Sequence, residues 1–232
     1  MNIIALHPLP HAVRATVSVP GSKSLTNRAL IIAALTPSVV VIHHPLVSDD
    51  TRAMAECLTR LGIRVQQKKN KWIVHGGIQQ IRASARVLNA GLSGTTMRFL
   101  TALACIIPGI TILSGEQGLN ARPIGDLVSA LQKRGASIGY LKKPGFPPIR
   151  VREQRLKPGV ITINGTTSSQ FISALLMMLP VIGRTKVAVS GKPVSRSYID
   201  MTVDFMRQCG VRVRETRPNH FEAPEGPYTC RH

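Results

Sequence analysis

Three short polar segments of this sequence combine residues that favour anion binding, each at the start of a predicted helix. The first, GSKS from Gly21 to Ser24, is followed by Asn27, Arg28 and an uncharged apolar run to Leu35. Free backbone N–H groups, the positive end of the helix dipole, hydroxyls and two cations would together hold a phosphate or a carboxylate. An ordinary serine cap on a core helix fits the same residues, so this segment alone leaves both interpretations open.

The same pattern occurs twice more in the chain. Gly91 begins the segment GLSGTT and Gly165 begins GTTSSQ, and an apolar run of helical length follows each of them. Second helices are predicted to open at three further polar segments, SDDT at Ser48, NARP at Asn120 and SRSY at Ser195. Repetition at three places favours a shared binding role over three unrelated caps.

Glycines that end the second helices set the period of this repeat. They lie about 74 residues apart, and a strand start follows each of them, at Gly62, Gly135 and Gly210. We therefore predict an α/β chain of three βαβαββ units, at about 20–78, 82–153 and 159–224. No unit could bury its own helices, so we expect packing around a pseudo-threefold axis with the helices inside and the sheets outside. Residues 1–19, which end in the alternating ATVSV, are predicted to form strand structure.

Composition narrows the possible ligands. The chain has 232 residues, 44% of them hydrophobic, which is typical of a globular protein. Its net charge of +19 indicates that the chain binds an anion, such as nucleic acid, a highly charged small substrate or an acidic partner protein. Aromatic residues make up only 4%, so a stacking platform for single-stranded nucleic acid is poorly supported.

The sequence also disfavours membrane-spanning, exported and metal-binding proteins. The longest uncharged apolar runs, 29–41 and 99–113, are interrupted by Pro37 and Pro108, so no membrane span is predicted. The first residues show no export signal, which makes the cytoplasm the expected location. The four cysteines are widely spaced and no histidine cluster has metal-ligand spacing, so free thiols are expected and no metal site.

Five motifs in succession resemble those of the enolpyruvyl transferases, and best the 5-enolpyruvylshikimate-3-phosphate synthases of the shikimate pathway. They are PGSKSLTNRALIIAAL, NAGLSGTTMRFL, ARPI, TTSSQFISALLM and VSRSYID, and the resemblance covers about residues 5–215. It implies transfer of the enolpyruvyl group from phosphoenolpyruvate to the 5-hydroxyl of shikimate 3-phosphate, with no metal or organic cofactor. The family has two similar domains of three βαβαββ units each, and this chain resembles one of them.

The resemblance also implies site residues. Those expected to bind shikimate 3-phosphate are Ser24, Arg28, Ser168, Ser169, Gln170, Ser195 and Tyr198. Three residues are expected at the phosphoenolpyruvate site: Lys23, Gly94 and Arg122. Lys23 is also the expected catalytic residue. Hydroxyls and N–H groups suit a phosphate, and arginine suits a carboxylate.

Some nearby positions have a structural interpretation or depart from the family pattern. Asp49 and Asp50 fit a simple helix cap, and Arg98, inside a helix, fits a role in supporting the fold. Phe99 stands where relatives often have proline, and Gln117 to Ala121 lack basic residues found in some relatives. These departures bear on substrate affinity and on sensitivity to the inhibitor glyphosate.

The resemblance further predicts that a partner domain is needed. Residues 20–215 match the substrate-binding domain, 1–19 match a strand that pairs with the second domain, and 216–232 match the end of the third unit and a truncated link. The second domain carries the carboxylates that move protons in the family. We therefore expect the chain alone to bind substrate weakly and not to turn over.

Other interpretations stay open at this point. A sister family acts on UDP-N-acetylglucosamine and normally shows Lys-Asn near the first helix, whereas here Lys23 is followed by Ser24. A basic nucleic-acid-binding module is possible because RNA phosphate cyclases share a related fold. A catalytically inactive fragment with an interaction role is a third interpretation.

Overall fold

The computed structural model describes residues 4–5, 8 and 11–230, whose helices and strands form three consecutive units. The first unit contains α1 (Lys23–Leu35), β1 (Val39–His43), α2 (Asp49–Leu61), β2 (Arg64–Lys68) and β3 (Lys71–His75), followed by a 3-10 turn (Ile78–Gln80). The second contains β4 (Ser84–Asn89), α3 (Gly94–Ala104), β5 (Gly109–Ser114), the short α4 (Gln117–Asn120), α5 (Gly125–Gln132), β6 (Ser137–Tyr140) and β7 (Ile149–Arg152). The third contains β8 (Gly159–Asn164), α6 (Ser169–Ile182), β9 (Thr185–Ser190), α7 (Arg196–Gln208), β10 (Arg214–Arg217) and β11 (His220–Glu222).

The sheets of the second and third units have the same topology. Their strand orders are β4-β5-β7-β6 and β8-β9-β11-β10, with a parallel first pair and antiparallel pairs elsewhere. The first unit has the order β1-β3-β2, all antiparallel. Among the described residues it therefore lacks the strand that corresponds to β4 and β8.

The alternating segment Ala15–Val19, predicted as a strand, has no strand structure here. Its side chains are exposed, and Val17 and Val19 keep 77% and 80% of their accessible surface. A strand needs a hydrogen-bonding partner, and none of the described strands pairs with this segment. Alternation in the sequence showed a strand-forming tendency but could not show whether a partner lies within the chain.

The core is built on the first helix of each unit. The helices α1, α3 and α6 pack against one another, and residues 171–180 of α6 are all buried. Because α1 and α6 are almost entirely apolar after their first turns, they can be surrounded by protein on most sides. Their polar N-termini are then the parts of these helices that reach the surface.

Second helices pack against the next unit. Helix α2 contacts β4, and α5 contacts β8 in the same way. The remaining second helix, α7, would correspondingly contact a first strand of the first unit, where no strand is described. A largely apolar groove of about 420 Å³ lies there, between α1, β1 and α7, and its lining includes Leu25, Ala29, Ile42, Phe205 and Cys209.

Helix ends mostly follow the predicted cap chemistry. Ser48 forms a capping box with Thr51 at the start of α2, and Gly62 ends this helix with a φ of 104°. The prediction that a second helix opens at Asn120 is wrong, because Asn120 ends α4 and the next helix begins at Gly125. The intervening Pro123 disfavours helical backbone at the residue before it, so the helix begins only beyond it.

The predicted α/β class is confirmed, whereas packing around a pseudo-threefold axis stays a prediction. The structure contains both α-helices and β-strands, and the strands form three separate sheets. Across the residues that the structure describes, every helix is too short or too polar to cross a bilayer.

Candidate active site

The starts of α1, α3, α6 and α7 meet at one polar pocket of about 620 Å³. All ten residues expected at the site line it: Lys23, Ser24, Arg28, Gly94, Arg122, Ser168, Ser169, Gln170, Ser195 and Tyr198. Five lining residues were not predicted: Asp50, Leu92, Thr95, Thr167 and Val194. Four helix starts at one surface concentrate free backbone N–H groups and positive dipole ends there.

Lys23 stands at the start of α1 and is held by an acid on the neighbouring helix. Its Nζ lies 3.0 Å from Oδ2 of Asp50, and half of its side-chain surface is exposed. Ser22 caps the helix by accepting a hydrogen bond from the Leu25 N–H at 3.3 Å. Capping therefore occupies Ser22, which leaves the Lys23 ammonium and the Ser24 hydroxyl available to the pocket.

Arg28 lies one turn deeper, under the pocket. Its guanidinium donates to Thr202 Oγ1 (2.7 Å), the Ser24 carbonyl (3.0 Å), Ser173 Oγ (2.9 Å) and the Tyr198 carbonyl (3.2 Å). These bonds use four of its five N–H donors and join α1 to α6 and α7. Burial lowers the pKa of Arg28 to about 10, with a smaller opposing effect from Tyr198.

Phe99 lies below the same arginine and is buried in the core. Its ring centroid is 5.5 Å from the Arg28 guanidinium carbon, a cation–π distance. The side chain does not line the pocket. Phe99 therefore contacts the pocket only indirectly, through its packing against Arg28.

Gly94 opens α3 between two arginines. A Cβ added there would clash with the Arg98 guanidinium and lie 3.2 Å from that of Arg122. Burial lowers the pKa of Arg98 to about 10, and the charge of Arg122 adds to this effect. Neither arginine forms an ion pair with a described acid, so the two charges are uncompensated by any such group. A side chain at this position would displace the Arg98 guanidinium and occupy space beside these cations.

The start of α6 supplies the densest set of hydroxyls. Ser168 caps the helix by accepting from the Gln170 N–H at 3.2 Å, while Ser169 follows in the first turn. The Gln170 Nε2 donates to Thr95 Oγ1 at 3.2 Å and so fixes α6 relative to α3. Thr167 donates to Asp126 Oδ2 at 2.6 Å.

Ser195 stands before α7 in an unusual backbone conformation. Its φ is 53° and its ψ is 51°, in the left-handed region that few residues other than glycine adopt. Its side chain makes no capping bond. The hydroxyl is therefore not used by the helix, and Tyr198 on the first turn of the same helix is 43% exposed beside it.

Charge in the pocket is strongly positive. Lys23, Arg28 and Arg122 line it, and Asp50 is the only carboxylate among its lining residues. Within the described part of the chain, no group of three or more histidines, cysteines or acids could hold a metal ion. The arrangement can bind anions through hydroxyls, helix N–H groups and arginines, and its single acid is already paired with Lys23.

Comparison with solved structures finds this fold in an EPSP synthase and in an enolpyruvyl transferase. An EPSP synthase from Acinetobacter baumannii superimposes with a TM-score of 0.79 at 24% identity, covering 92% of this chain and 48% of that one. The enolpyruvyl transferase NikO from Streptomyces tendae gives a TM-score of 0.67 at 18% identity, covering 95% of this chain and 51% of that one.

Sequence comparison identifies the particular family. The sequence profile of EPSP synthase (3-phosphoshikimate 1-carboxyvinyltransferase) matches residues 9–225. A 3-phosphoshikimate 1-carboxyvinyltransferase from Idiomarina loihiensis is 41% identical over 231 residues, covering 97% of this chain and 53% of that protein. One from Aeromonas salmonicida is 42% identical over 215 residues, covering 91% and 50%. The chain belongs to the EPSP synthase family, and it spans about half the length of these relatives. The family resemblance drawn from the sequence is confirmed.

Proposed function

We propose that this chain is the shikimate 3-phosphate-binding half of an enzyme that transfers the enolpyruvyl group from phosphoenolpyruvate to the 5-hydroxyl of shikimate 3-phosphate. The product would be the enolpyruvyl ether, with release of inorganic phosphate, as in aromatic amino acid biosynthesis. The cytoplasm is the location we propose for this reaction. The supporting observation is the meeting of four helix starts, with all ten expected residues, at one positively charged pocket.

Two groups of residues would bind the two substrates. For shikimate 3-phosphate, hydroxyls and N–H groups at the start of α6 would hold the phosphate, through Ser168 and Ser169. Gln170, Ser195 and Tyr198 would border the ring, together with Ser24. Arg28 has one N–H donor left after its four protein contacts, enough for a single hydrogen bond to the ligand.

Phosphoenolpyruvate would lie toward α3. Lys23, Gly94 and Arg122 line that side of the pocket, and the buried Arg98 adds charge beneath it. In this proposal the Lys23 ammonium leaves Asp50 to contact the incoming anion. Proton movements in addition and elimination require an acid and a base. Because Asp50 is the only carboxylate that lines the pocket, the acid and the base would come from a second domain. The relatives, which are about twice as long as this chain, have enough residues for such a domain.

The two alternative ligands, UDP-N-acetylglucosamine and nucleic acid, gain no support. The family match favours shikimate 3-phosphate over UDP-N-acetylglucosamine as substrate. A nucleic-acid-binding module has no counterpart in the matched profile. We therefore propose phosphorylated small molecules, rather than nucleic acid, as the ligands of this pocket.

Calorimetric titration with shikimate 3-phosphate tests the proposal. We expect saturable binding of one ligand per chain, weakened at least about tenfold (~1.4 kcal/mol) in Ser169→Ala. Ser129→Ala, an exposed serine on α5 outside the pocket, is the matched control and should bind as the unsubstituted chain does. Absence of saturable binding, or equal loss in both variants, would contradict the assignment of this pocket.

A further inference from the structure

We propose that a groove in the third unit is a second anion site, which binds a compact polyphosphate. The groove lies between the second half of α7 and the sheet formed by β9, β11 and β10, and encloses about 1220 Å³. Its charged lining consists of Arg184, Lys186, Arg207, Arg212, Arg214 and Glu222. Five cations from three separate chain segments thus line one groove that contains a single carboxylate.

Local ion pairs account for only some of this charge. Glu222 is shared, because Lys186 Nζ lies 2.8 Å from its Oε2 and an Arg214 nitrogen lies 3.0 Å from its Oε1. These two cations lower the pKa of Glu222, so the acid remains ionised. Arg207 pairs with Asp204 on its own helix at 2.7 Å. One carboxylate for two cations leaves an excess of positive charge in the groove.

Arg184 and Arg212 have no such structural role. Neither forms an ion pair or a side-chain hydrogen bond with any other described residue. Arg207 lies in the last turn of α7, where the helix dipole favours a cation, but Arg212 lies beyond that turn. Arg184 has a φ of 41°, a conformation that is costly for a side chain of this size. Glu225 packs over Gly183, next to Arg184 in the chain, and does not line the groove.

The groove is separate from the substrate pocket. Ser195 marks the pocket at the start of α7, whereas Arg207 marks the groove near its end, about 20 Å away along a thirteen-residue helix. The two cavities share no lining residue. Substrate charge therefore does not explain the cations of the groove.

The shape favours a compact ligand over nucleic acid. The lining combines the five cations with the apolar side chains Val203, Val213 and Ala223. Duplex backbones present phosphates at regular intervals and are met by cations spread along a ridge. No aromatic side chain lines the groove, so it offers no base-stacking surface. A short chain of phosphates would bring several negative charges into this groove, which five cations line.

Titration with inorganic tripolyphosphate tests this site. We expect saturable binding that weakens as salt is raised, and at least a tenfold loss in the double variant Arg184→Gln/Arg212→Gln. Lys68→Gln/Lys69→Gln removes the same charge from the β2–β3 hairpin of the first unit and should change affinity less than twofold. Without ligand, relief of repulsion should leave the melting temperature of the groove variant unchanged or higher, which also shows that it folds.

Four results would overturn the proposal. Equal weakening in the two double variants would mean that tripolyphosphate responds only to net charge. Loss of binding in Ser169→Ala would place the ligand in the substrate pocket. A lower melting temperature for the groove variant would assign the two arginines to stability. Duplex DNA binding that depends on Arg184 and Arg212, without tripolyphosphate binding, would identify a nucleic-acid surface. The proposed transferase role is tested separately, by the titration with shikimate 3-phosphate.

Discussion

At the level of single residues, Arg28 shows how the site and the core depend on one group. Its guanidinium joins three helices through four hydrogen bonds, and no carboxylate compensates its charge among the described residues. Burial without a counter-ion is costly, as the lowered pKa indicates. An anion bound above it would supply the missing negative charge. The same residue therefore stabilises the helix arrangement and prepares the pocket for an anionic ligand.

Replacing this arginine should destabilise the fold. Arg28→Ala removes four hydrogen bonds and leaves a cavity between α1, α6 and α7, which we expect to cost about 3 kcal/mol in urea unfolding. Arg52→Ala, at an exposed position on α2, is the control and should cost less than about 0.5 kcal/mol. A loss below about 1 kcal/mol for Arg28→Ala would show that the hydrogen bonds contribute little beyond the cost of burying the charge.

Asp50 lines the pocket, although the sequence alone indicated only a helix cap at this position. The segment SDDT predicts a helix start with acids in its first turn, and the structure has both that cap and an ion pair to Lys23. Capping and ligand binding use the same residue types at helix starts, so a single sequence cannot separate them. By contrast, hydroxyls and Gln170 at the start of α6 exceeded what a cap requires, and they do line the pocket.

Cys230 should be the reactive cysteine. Hydrogen bonding with Cys209, and less strongly with the Thr36 hydroxyl, lowers the pKa of Cys230, whereas burial raises that of Cys105 to about 12. A thiol whose pKa lies below the ordinary value of about 8.5 is already largely thiolate near pH 8, so its rate of alkylation reaches a plateau there. Iodoacetamide labelling, followed residue by residue with mass spectrometry, should show this profile for Cys230. A rate that still rises steeply above pH 8 would show an ordinary thiol, and Cys230→Ser should remove the fast phase.

At the level of elements, the three units differ in one respect that sequence periodicity did not reveal. The repeat predicts a first strand in each unit, and the second and third units have it as β4 and β8. In the first unit the corresponding residues are exposed and unpaired, while β1 keeps a free edge beside the groove under α7. Helix boundaries were predictable wherever a cap or a glycine marks them. Strand pairing was not, because it depends on contacts that are distant in sequence.

The groove between α1, β1 and α7 should accept an extended strand from a second domain. Such a strand would pair with β1 and cover Phe205, as β4 and β8 cover α2 and α5. We expect amide exchange of β1 groups that β3 leaves unpaired to slow at least tenfold when the C-terminal half of the Idiomarina loihiensis relative is added. The opposite edge of this sheet, β2, is an internal control and should be unaffected. Protection of β2 alone, or of neither edge, would contradict the prediction.

At the level of the whole molecule, the chain has a buried core and a pocket with a single carboxylate. The first helices of the units pack against one another in that core, and an apolar groove stays open beside α1 and α7. The pocket supplies cations, hydroxyls and helix N–H groups, whereas its one carboxylate is paired with Lys23. Four of the motifs mark helix starts, and packing of the helices brings those starts together at the pocket, whereas Arg122 reaches it from the turn between α4 and α5.

The chain alone should therefore bind substrate without turnover. Addition and elimination on phosphoenolpyruvate need proton transfer, and loss of a positioned acid or base typically costs about 10²–10⁴ in rate. Phosphate release from phosphoenolpyruvate and shikimate 3-phosphate should stay at background with the purified chain and appear when the C-terminal half of a relative is added. In the mixture, Ser129→Ala should retain activity and Ser169→Ala should lose it, which ties the signal to this pocket. Steady turnover by the chain alone would show that its own groups are sufficient, and Asp50, released from Lys23, would then be the acid to examine first.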